Sequence, residues 1–187
     1  MTKLINYSDF YYRTGYTFTF LDEILAYRNR GTYPIDRSNN RREALDRDLY
    51  MRSLLQNAMP EVRIWDIGIM LWPAGVGFKW HRDNHPTRGP RGVAMNLLLS
   101  TPVDNNYCEF SDGHPDDPGE KFKLPYKQYE ITFLDTNQWH RVVNDSQVDR
   151  YVLTVGFDSF FKDPKFMISI WLEGYLFNSH YLKSIHV

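Results

Sequence analysis

Between residues 64 and 157 the chain consists of short apolar runs separated by turn-forming clusters. In 64–72, Trp65, Ile67, Ile69 and Leu71 fall on alternate positions, the period of a strand with one buried face. The run 93–100 (Val-Ala-Met-Asn-Leu-Leu-Leu-Ser) reads as a buried strand, and 107–110 as a short one. Residues 129–134 and 150–157 complete the set. The joints are rich in proline, glycine and aspartate, notably 86–90 and 111–119. Many short strands at this spacing predict an antiparallel sandwich or barrel, not a doubly wound parallel sheet.

The flanks have a different texture. Residues 1–38 mix aromatic and polar side chains and read as short irregular elements. Ser38-Asn-Asn-Arg-Arg-Glu43 has the form of a helix start, with a capping Ser or Asn and Glu43 in the first turn. Leu45, Leu49, Leu54, Leu55 and Met59 then approximate a helical stripe that stops at Pro60. Arg37, Arg41, Arg42 and Arg47 alternate with Asp36, Glu43, Asp46 and Asp48, the pattern of a solvated helix face. After residue 157, Asp163-Pro164 opens a further helix, with Asp as cap and Pro at the first helical position. Its aromatic residues Phe166, Trp171, Tyr175 and Phe177 are expected to pack onto the sheet, with a dimer interface as the alternative. The expected organisation is one domain over 1–187: a mostly helical N-terminal layer (1–62), a β core (63–157) and a C-terminal helical segment (158–187).

A chain of 187 residues can bury about 70 % of its unfolded surface. Its single cysteine, Cys108, rules out an internal disulfide. A net charge of −1 gives no bulk attraction to nucleic acid or to an anionic membrane. No leader-like h-region and no long apolar span is visible, so the expected location is cytoplasmic. Aromatic residues at 16 % suggest a packed core and a cleft with aromatic walls.

The chemistry concentrates in His81-Arg82-Asp83 and in His140, 57 residues after Asp83. In an extended segment, residues i and i+2 share a face, so His81 and Asp83 can reach one point. A third ligand from a distant strand makes two imidazoles and one carboxylate. That set is the facial triad of non-haem Fe(II) oxygenases, which leaves coordination positions open. Arg150, ten residues after His140, opens the last strand of the core. Facing inward, its guanidinium can grip a carboxylate bidentately. A metal with open positions beside such an arginine suggests a small anionic cosubstrate with a chelating end and a free carboxylate.

The arrangement His-x-Asp, some 55 residues, His, ten residues, Arg resembles the Fe(II)/2-oxoglutarate-dependent oxygenases. Two stretches carry the likeness further: Trp72-Pro-Ala-Gly-Val-Gly-Phe-Lys-Trp-His-Arg-Asp-Asn84, and Phe133-Leu-Asp-Thr-Asn-Gln-Trp-His-Arg-Val-Val-Asn144 followed by Asp149-Arg-Tyr-Val-Leu-Thr154. They are similar to the aspartyl/asparaginyl β-hydroxylase-like branch and to bacterial proline hydroxylases. The resemblance implies a mainly β fold, a double-stranded β-helix (jelly roll, cupin-like) with flanking helices. It also implies Fe(II) held by His81, Asp83 and His140, and 2-oxoglutarate held by Arg150, with Thr154 and Asn144 supporting. Where many members carry Ser two residues after the arginine, this chain has Val152. Asp83 sets it apart from the animal aspartyl/asparaginyl hydroxylases, which lack that carboxylate. Val152 and Gly156 replace the Asn and second Arg of the nucleic-acid demethylase signature, so no nucleic-acid substrate is expected.

The implied activity is hydroxylation of an unactivated C–H bond in an amino acid, a peptide residue or another small metabolite, using O2 and releasing succinate and CO2. Two alternatives stay open: another cupin-type metalloenzyme that does not use 2-oxoglutarate, and a non-catalytic binding module. For substrate contacts, Asn96 either lines the pocket or is a hydrogen-bonded structural amide. Arg91 meets a substrate carboxylate or is a solvated turn residue, and Lys79 shares the ligand face or snorkels at an edge. His81 and His85 have a zinc-like spacing, but Pro86 and an extended context argue against a zinc helix. His85 then lies near the mouth. Trp80 and Trp139 flank the ligand histidines as packing. His114, Asp112, Asp116, Asp117 and Glu120 form a solvated loop without calcium-site spacing. His180 and His186 carry no motif.

Overall fold

The apolar segments pair into two facing antiparallel sheets, and each strand is set by the two-residue alternation of its side chains. A computed structural model describes residues 6–185, except 8–9, 32–40, 46–47, 86–88, 91, 115, 117–118, 125 and 158–176. In chain order the elements are β1 (Asn6–Tyr7), β2 (Tyr11–Arg13), β3 (Tyr16–Phe18), α1 (Leu21–Arg30), β4 (Arg41–Ala44), α2 (Leu49–Ala58), β5 (Ile64–Trp72), β6 (Phe78–His81), β7 (Asn84–His85), β8 (Gly89–Pro90) and β9 (Val93–Leu98). They continue with β10 (Asn106–Ser111), β11 (Lys121–Leu124), β12 (Ile131–Asp135), β13 (Trp139–Asn144), β14 (Arg150–Phe157) and β15 (Leu182–Ser184).

The larger sheet runs β1-β2-β12-β9-β14-β5-β4 and the smaller β11-β10-β13-β6. This is the double-stranded β-helix. On β14, Leu153, Val155 and Phe157 point to a core shared with α1 and α2, where Ile24, Met51 and Leu55 are buried. The opposite phase, Arg150, Val152 and Thr154, points between the sheets. There Val152 joins Trp72, Leu98, Cys108, Phe110 and Tyr126 in a second, more aromatic cluster. One strand therefore serves two cores, and the inter-sheet core houses the site. Among the described residues no helix is long and apolar enough to cross a membrane.

Several local expectations are corrected. Residues 41–44 do not begin a helix; they pair with β5 as its edge strand. The helix starts at Leu49, where the Asp48 carboxylate accepts the Met51 N–H at 2.9 Å. Its buried stripe is Met51, Leu55 and Ala58, while Leu49 stands 81 % exposed. Residues before α1 are strands, and β2 belongs to the larger sheet beside β12. Trp65 does not share the face of Ile67 and Ile69. Gly156 pairs with Asp66 but Phe157 pairs with Ile64, so Trp65 is the extra residue of a bulge. The helix expected from Asp163, the cap at 38–40, Arg91, the side chain of His85, and His186 lie outside the described residues.

Strand β2 is tied down by a buried ion pair. Arg13 Nε donates to Glu130 Oε2 at 2.6 Å, and the other carboxylate oxygen accepts the Gly15 N–H at 2.8 Å. Both side chains are almost fully buried. Glu130→Ala strands a buried guanidinium, and we expect denaturant unfolding to show a loss of about 3–5 kcal/mol. Replacing both partners with apolar residues should recover most of it. An unchanged midpoint for Glu130→Ala would show that the pair is not what holds β2.

Candidate metal centre

His81 closes β6 and His140 is the second residue of β13, and the two are register partners. Close approach of these strands depends on Gly77, where a Cβ would lie 2.6 Å from the Val142 carbonyl oxygen. That explains one glycine of the Trp72–Phe78 stretch. Beyond β6 the chain turns, and the Asp83 N–H donates to the Thr136 carbonyl at 3.0 Å. This bond fixes the turn to the end of β12 and swings the Asp83 carboxylate between the two imidazoles. Asp83 Oδ1 lies 3.6 Å from His81 Nε2 and 3.8 Å from His140 Nε2. One ligand atom from each of the three residues falls within 4.8 Å of the others.

The tautomers follow from the hydrogen bonds. His81 Nδ1 is 2.8 Å from the Lys79 carbonyl oxygen, and His140 Nδ1 is 2.9 Å from that of Gln138. A carbonyl only accepts, so each Nδ1 carries the proton and each Nε2 turns its lone pair to the common point. Both rings are braced by the residue two positions earlier. Phe78 meets the His81 ring edge-on at 4.5 Å, and Phe110 lies 5.9 Å from that of His140. His140 is buried, while His81 and Asp83 are half-buried, so the ligand set opens on one side. Two imidazoles and one carboxylate in this form suit a divalent first-row metal with free positions.

Behind the centre, Arg150 is 1 % exposed. Its guanidinium carbon lies 5.4 Å from the Trp72 ring centre and 5.0 Å from that of Tyr126. Its Nε and Nη1 are buried and find no acceptor. An unpaired buried cation costs several kcal/mol, so this edge is built for an anion. The Tyr126 hydroxyl accepts the Asn96 amide N–H at 3.0 Å. Burial pushes the phenol above its ordinary value, against the charge of Arg150, so it stays protonated. Burial also pushes the Cys108 thiol up to about 12; the charge of Arg150 opposes that rise and Asp83 adds to it. Cys108 is therefore a neutral thiol in the inter-sheet cluster, apart from the His81–Asp83–His140 group. In the native protein it should resist iodoacetamide at pH 8 and react once per chain on unfolding. Rapid labelling of the folded protein would show an open pocket.

The remaining site expectations divide. Thr154 is buried on the inward phase of β14, opposite Asn96 on β9. Asn96 is half-buried, and its amide meets the Tyr126 hydroxyl across the inner face. The Asn144 side chain is engaged by the chain itself. Its amide nitrogen is within 3.2 Å of the carbonyls of Trp72, Pro73 and Val148, and its oxygen accepts from Ser146 Oγ at 2.6 Å. It pins the β13–β14 connection, and so the start of β14, to the end of β5. Lys79 has an exposed side chain and contributes its carbonyl instead. Trp80 and Trp139 turn to the outer face of the smaller sheet, where Arg141 and Arg82 stand 5.0 Å from their ring centres. His114 is exposed and packs edge-on against Trp139 at 5.0 Å. Tyr126 is the residue sequence reasoning missed. It follows β11 in a polar stretch, and no spacing or motif marks it.

The fold and this site together define a double-stranded β-helix carrying a two-histidine, one-carboxylate centre. No family model and no curated protein matches the chain. Solved structures do. A Pseudomonas putida prolyl-4-hydroxylase aligns over 74 % of this chain and 84 % of its own, with 16 % identity and a TM-score of 0.52. A 2OG-Fe(II) oxygenase family oxidoreductase from Burkholderia pseudomallei covers 74 % and 78 %, at 15 % and 0.55. A Trichoplax adhaerens prolyl hydroxylase, solved with a hypoxia inducible factor peptide fragment, covers 83 % and 86 %, at 15 % and 0.56. At such identities the likeness establishes the fold.

Proposed function

We propose that the protein is an Fe(II)- and 2-oxoglutarate-dependent oxygenase, a single domain that hydroxylates a C–H bond of an amino acid, a peptide residue or another small metabolite. The observation that carries the reading is the buried guanidinium edge of Arg150 on the inward phase of β14, where Val152 shares a cluster with Phe110, the residue packed against His140. His81, Asp83 and His140 would hold the metal on one side only, leaving room for a chelating cosubstrate. Arg150 would receive the carboxylate at the far end of 2-oxoglutarate, with the Tyr126 hydroxyl as a second donor. Val152, Leu134 and Phe110, buried in the same inter-sheet cluster, would keep water out. When bound, iron and 2-oxoglutarate supply the oxidising power, with succinate and CO2 as co-products. The protein supplies position, dryness and fixed charge.

The test is an anaerobic titration with Fe(II) and 2-oxoglutarate, read by the visible charge-transfer band of the chelate. A band that needs both components supports the reading. Iron binding without a band points to cupin chemistry that does not use 2-oxoglutarate. No iron binding leaves a ligand-binding module.

A further inference from the structure

One side-chain hydrogen bond ties the middle of the larger sheet to the segment after β11. Asn96 lies on the inward phase of β9, with Leu98, and β9 runs between β12 and β14. Tyr126 follows β11, the edge strand of the smaller sheet, and its N–H donates to the Leu124 carbonyl at 3.0 Å. Asn96 Nδ2 donates to the Tyr126 hydroxyl oxygen at 3.0 Å. The bond therefore crosses from one sheet to the other inside the inter-sheet cluster to which Tyr126 belongs.

The direction of this bond decides what the hydroxyl can do. A phenol has one proton to give and lone pairs to receive. The oxygen receives the Asn96 amide, so its own proton is left over. Among the described residues that proton meets no acceptor. Asn96 Oδ1, the acceptor of the same amide, is buried without a hydrogen-bond partner, so the hydroxyl does not turn back to it. The Arg150 guanidinium, 5.0 Å from the Tyr126 ring centre, can only donate. So can the Trp72 indole nitrogen, which is buried without an acceptor, and Trp72 is the register partner of Arg150. Tyr126, Trp72 and Arg150 thus put three kinds of donor at one end of the cluster, with no protein acceptor for any of them.

We propose that Asn96 is the positioning residue of the cosubstrate pocket. By filling the acceptor side of the Tyr126 hydroxyl, it holds the O–H ready for the far carboxylate of 2-oxoglutarate, and so helps the pocket select a dicarboxylate. The inference rests on the oxygenase reading and adds to it the residue that directs the second donor. A donor held in place by a neighbour binds better than one that must first be ordered. Without the amide, the hydroxyl is free to rotate and the tie between the sheets is gone.

The experiment reads binding. The protein is titrated with Fe(II) and either 2-oxoglutarate or 2-oxopentanoate without oxygen, and the charge-transfer band is followed. The two acids share the chelating end and the five-carbon chain, but 2-oxopentanoate ends in a methyl group. The unmodified protein should bind 2-oxoglutarate at a concentration 10-fold or more below 2-oxopentanoate. Asn96→Leu should weaken 2-oxoglutarate about 10-fold, the order expected for a hydrogen bond to a charged group, and leave 2-oxopentanoate within about 3-fold. Asn96→Val, a strand-forming match for Thr132 and Thr154 beside it, is the second variant should leucine prevent folding. Tyr126→Phe should show the same selective loss. Adding Asn96→Leu to Tyr126→Phe should cost nothing more, because Asn96 acts through the hydroxyl. Unchanged 2-oxoglutarate binding in the Asn96 variants, an equal loss for both acids, or a further loss in the double variant overturns the inference and leaves the oxygenase reading standing. Absence of the band in the unmodified protein overturns both.

Discussion

Arg150→Leu is expected to abolish 2-oxoglutarate binding and at the same time to raise the melting temperature of the ligand-free protein. The two effects have one cause. The Arg150 guanidinium is buried between Trp72 and Tyr126, with Nε and Nη1 lacking acceptors. A stranded ion of this kind costs several kcal/mol, and an apolar leucine removes that cost, although its shorter side chain leaves a void where the guanidinium stood. Allowing for imperfect packing, the expected net gain is about 1–2 kcal/mol, or some 2–8 °C for a chain of this size. Binding changes the other way. A charge-assisted bidentate pair in a dry pocket carries about 3–5 kcal/mol, which is 10²- to 10³-fold or more in affinity. In the unmodified protein 2-oxoglutarate should raise the melting temperature; in Arg150→Leu it should not. Arg150→Lys should bind poorly too, because an ammonium lacks the planar fork. A variant that melts lower and still binds 2-oxoglutarate would make Arg150 a structural residue.

His140→Ala and Asp83→Ala are each expected to weaken Fe(II) binding by about 100-fold or more. Loss of a partner one shell further out already costs 10- to 100-fold, and a ligand itself costs at least that. Asp83 matters for a second reason: it is the one anion in the ligand set, so Asp83→Asn keeps the shape and removes the charge that a dication needs. Mn(II) can stand in for iron, with free Mn(II) read by its electron paramagnetic resonance signal. His114→Ala and His180→Ala are the controls, since both side chains are exposed and outside the ligand set. Tight Mn(II) binding by His140→Ala would show that the three residues do not form the site.

Much of the centre was legible because it is local or strictly phased. His81 and Asp83 are two residues apart at a strand end, and Arg150, Val152 and Thr154 lie on the inward phase of a strand whose other phase is apolar. Alternation could not reveal a bulge, which is why Trp65 was placed on the wrong face. Local capping rules located a cap before residue 43, but pairing with β5 drew 41–44 into a strand and left Asp48 to start the helix. Propensity is a weak prior when a sheet edge competes for the same backbone. Asn144 illustrates the limit for side chains: its position beside the last ligand strand suggested ligand contact, yet its amide is spent on backbone carbonyls from two connections.

The sequence alone marked the periodic strands of the core, the three candidate ligands and the candidate arginine, and a charge balance that offers no bulk attraction to polyanions. These depend on residue type and on spacing along one strand. Tertiary structure alone decided which strands meet. It placed β2 in the larger sheet, set His81 opposite His140, brought Tyr126 over Arg150, and left Asp66 beside Gly156 and Ala94. Such neighbours are 90 or more residues from Asp66 at one step and fewer than 30 at the other, and only the closing of the sheet brings them into one row. A side chain's chemistry is written in its own letter, but the burial that strands Arg150 without an acceptor comes from every strand packed around it.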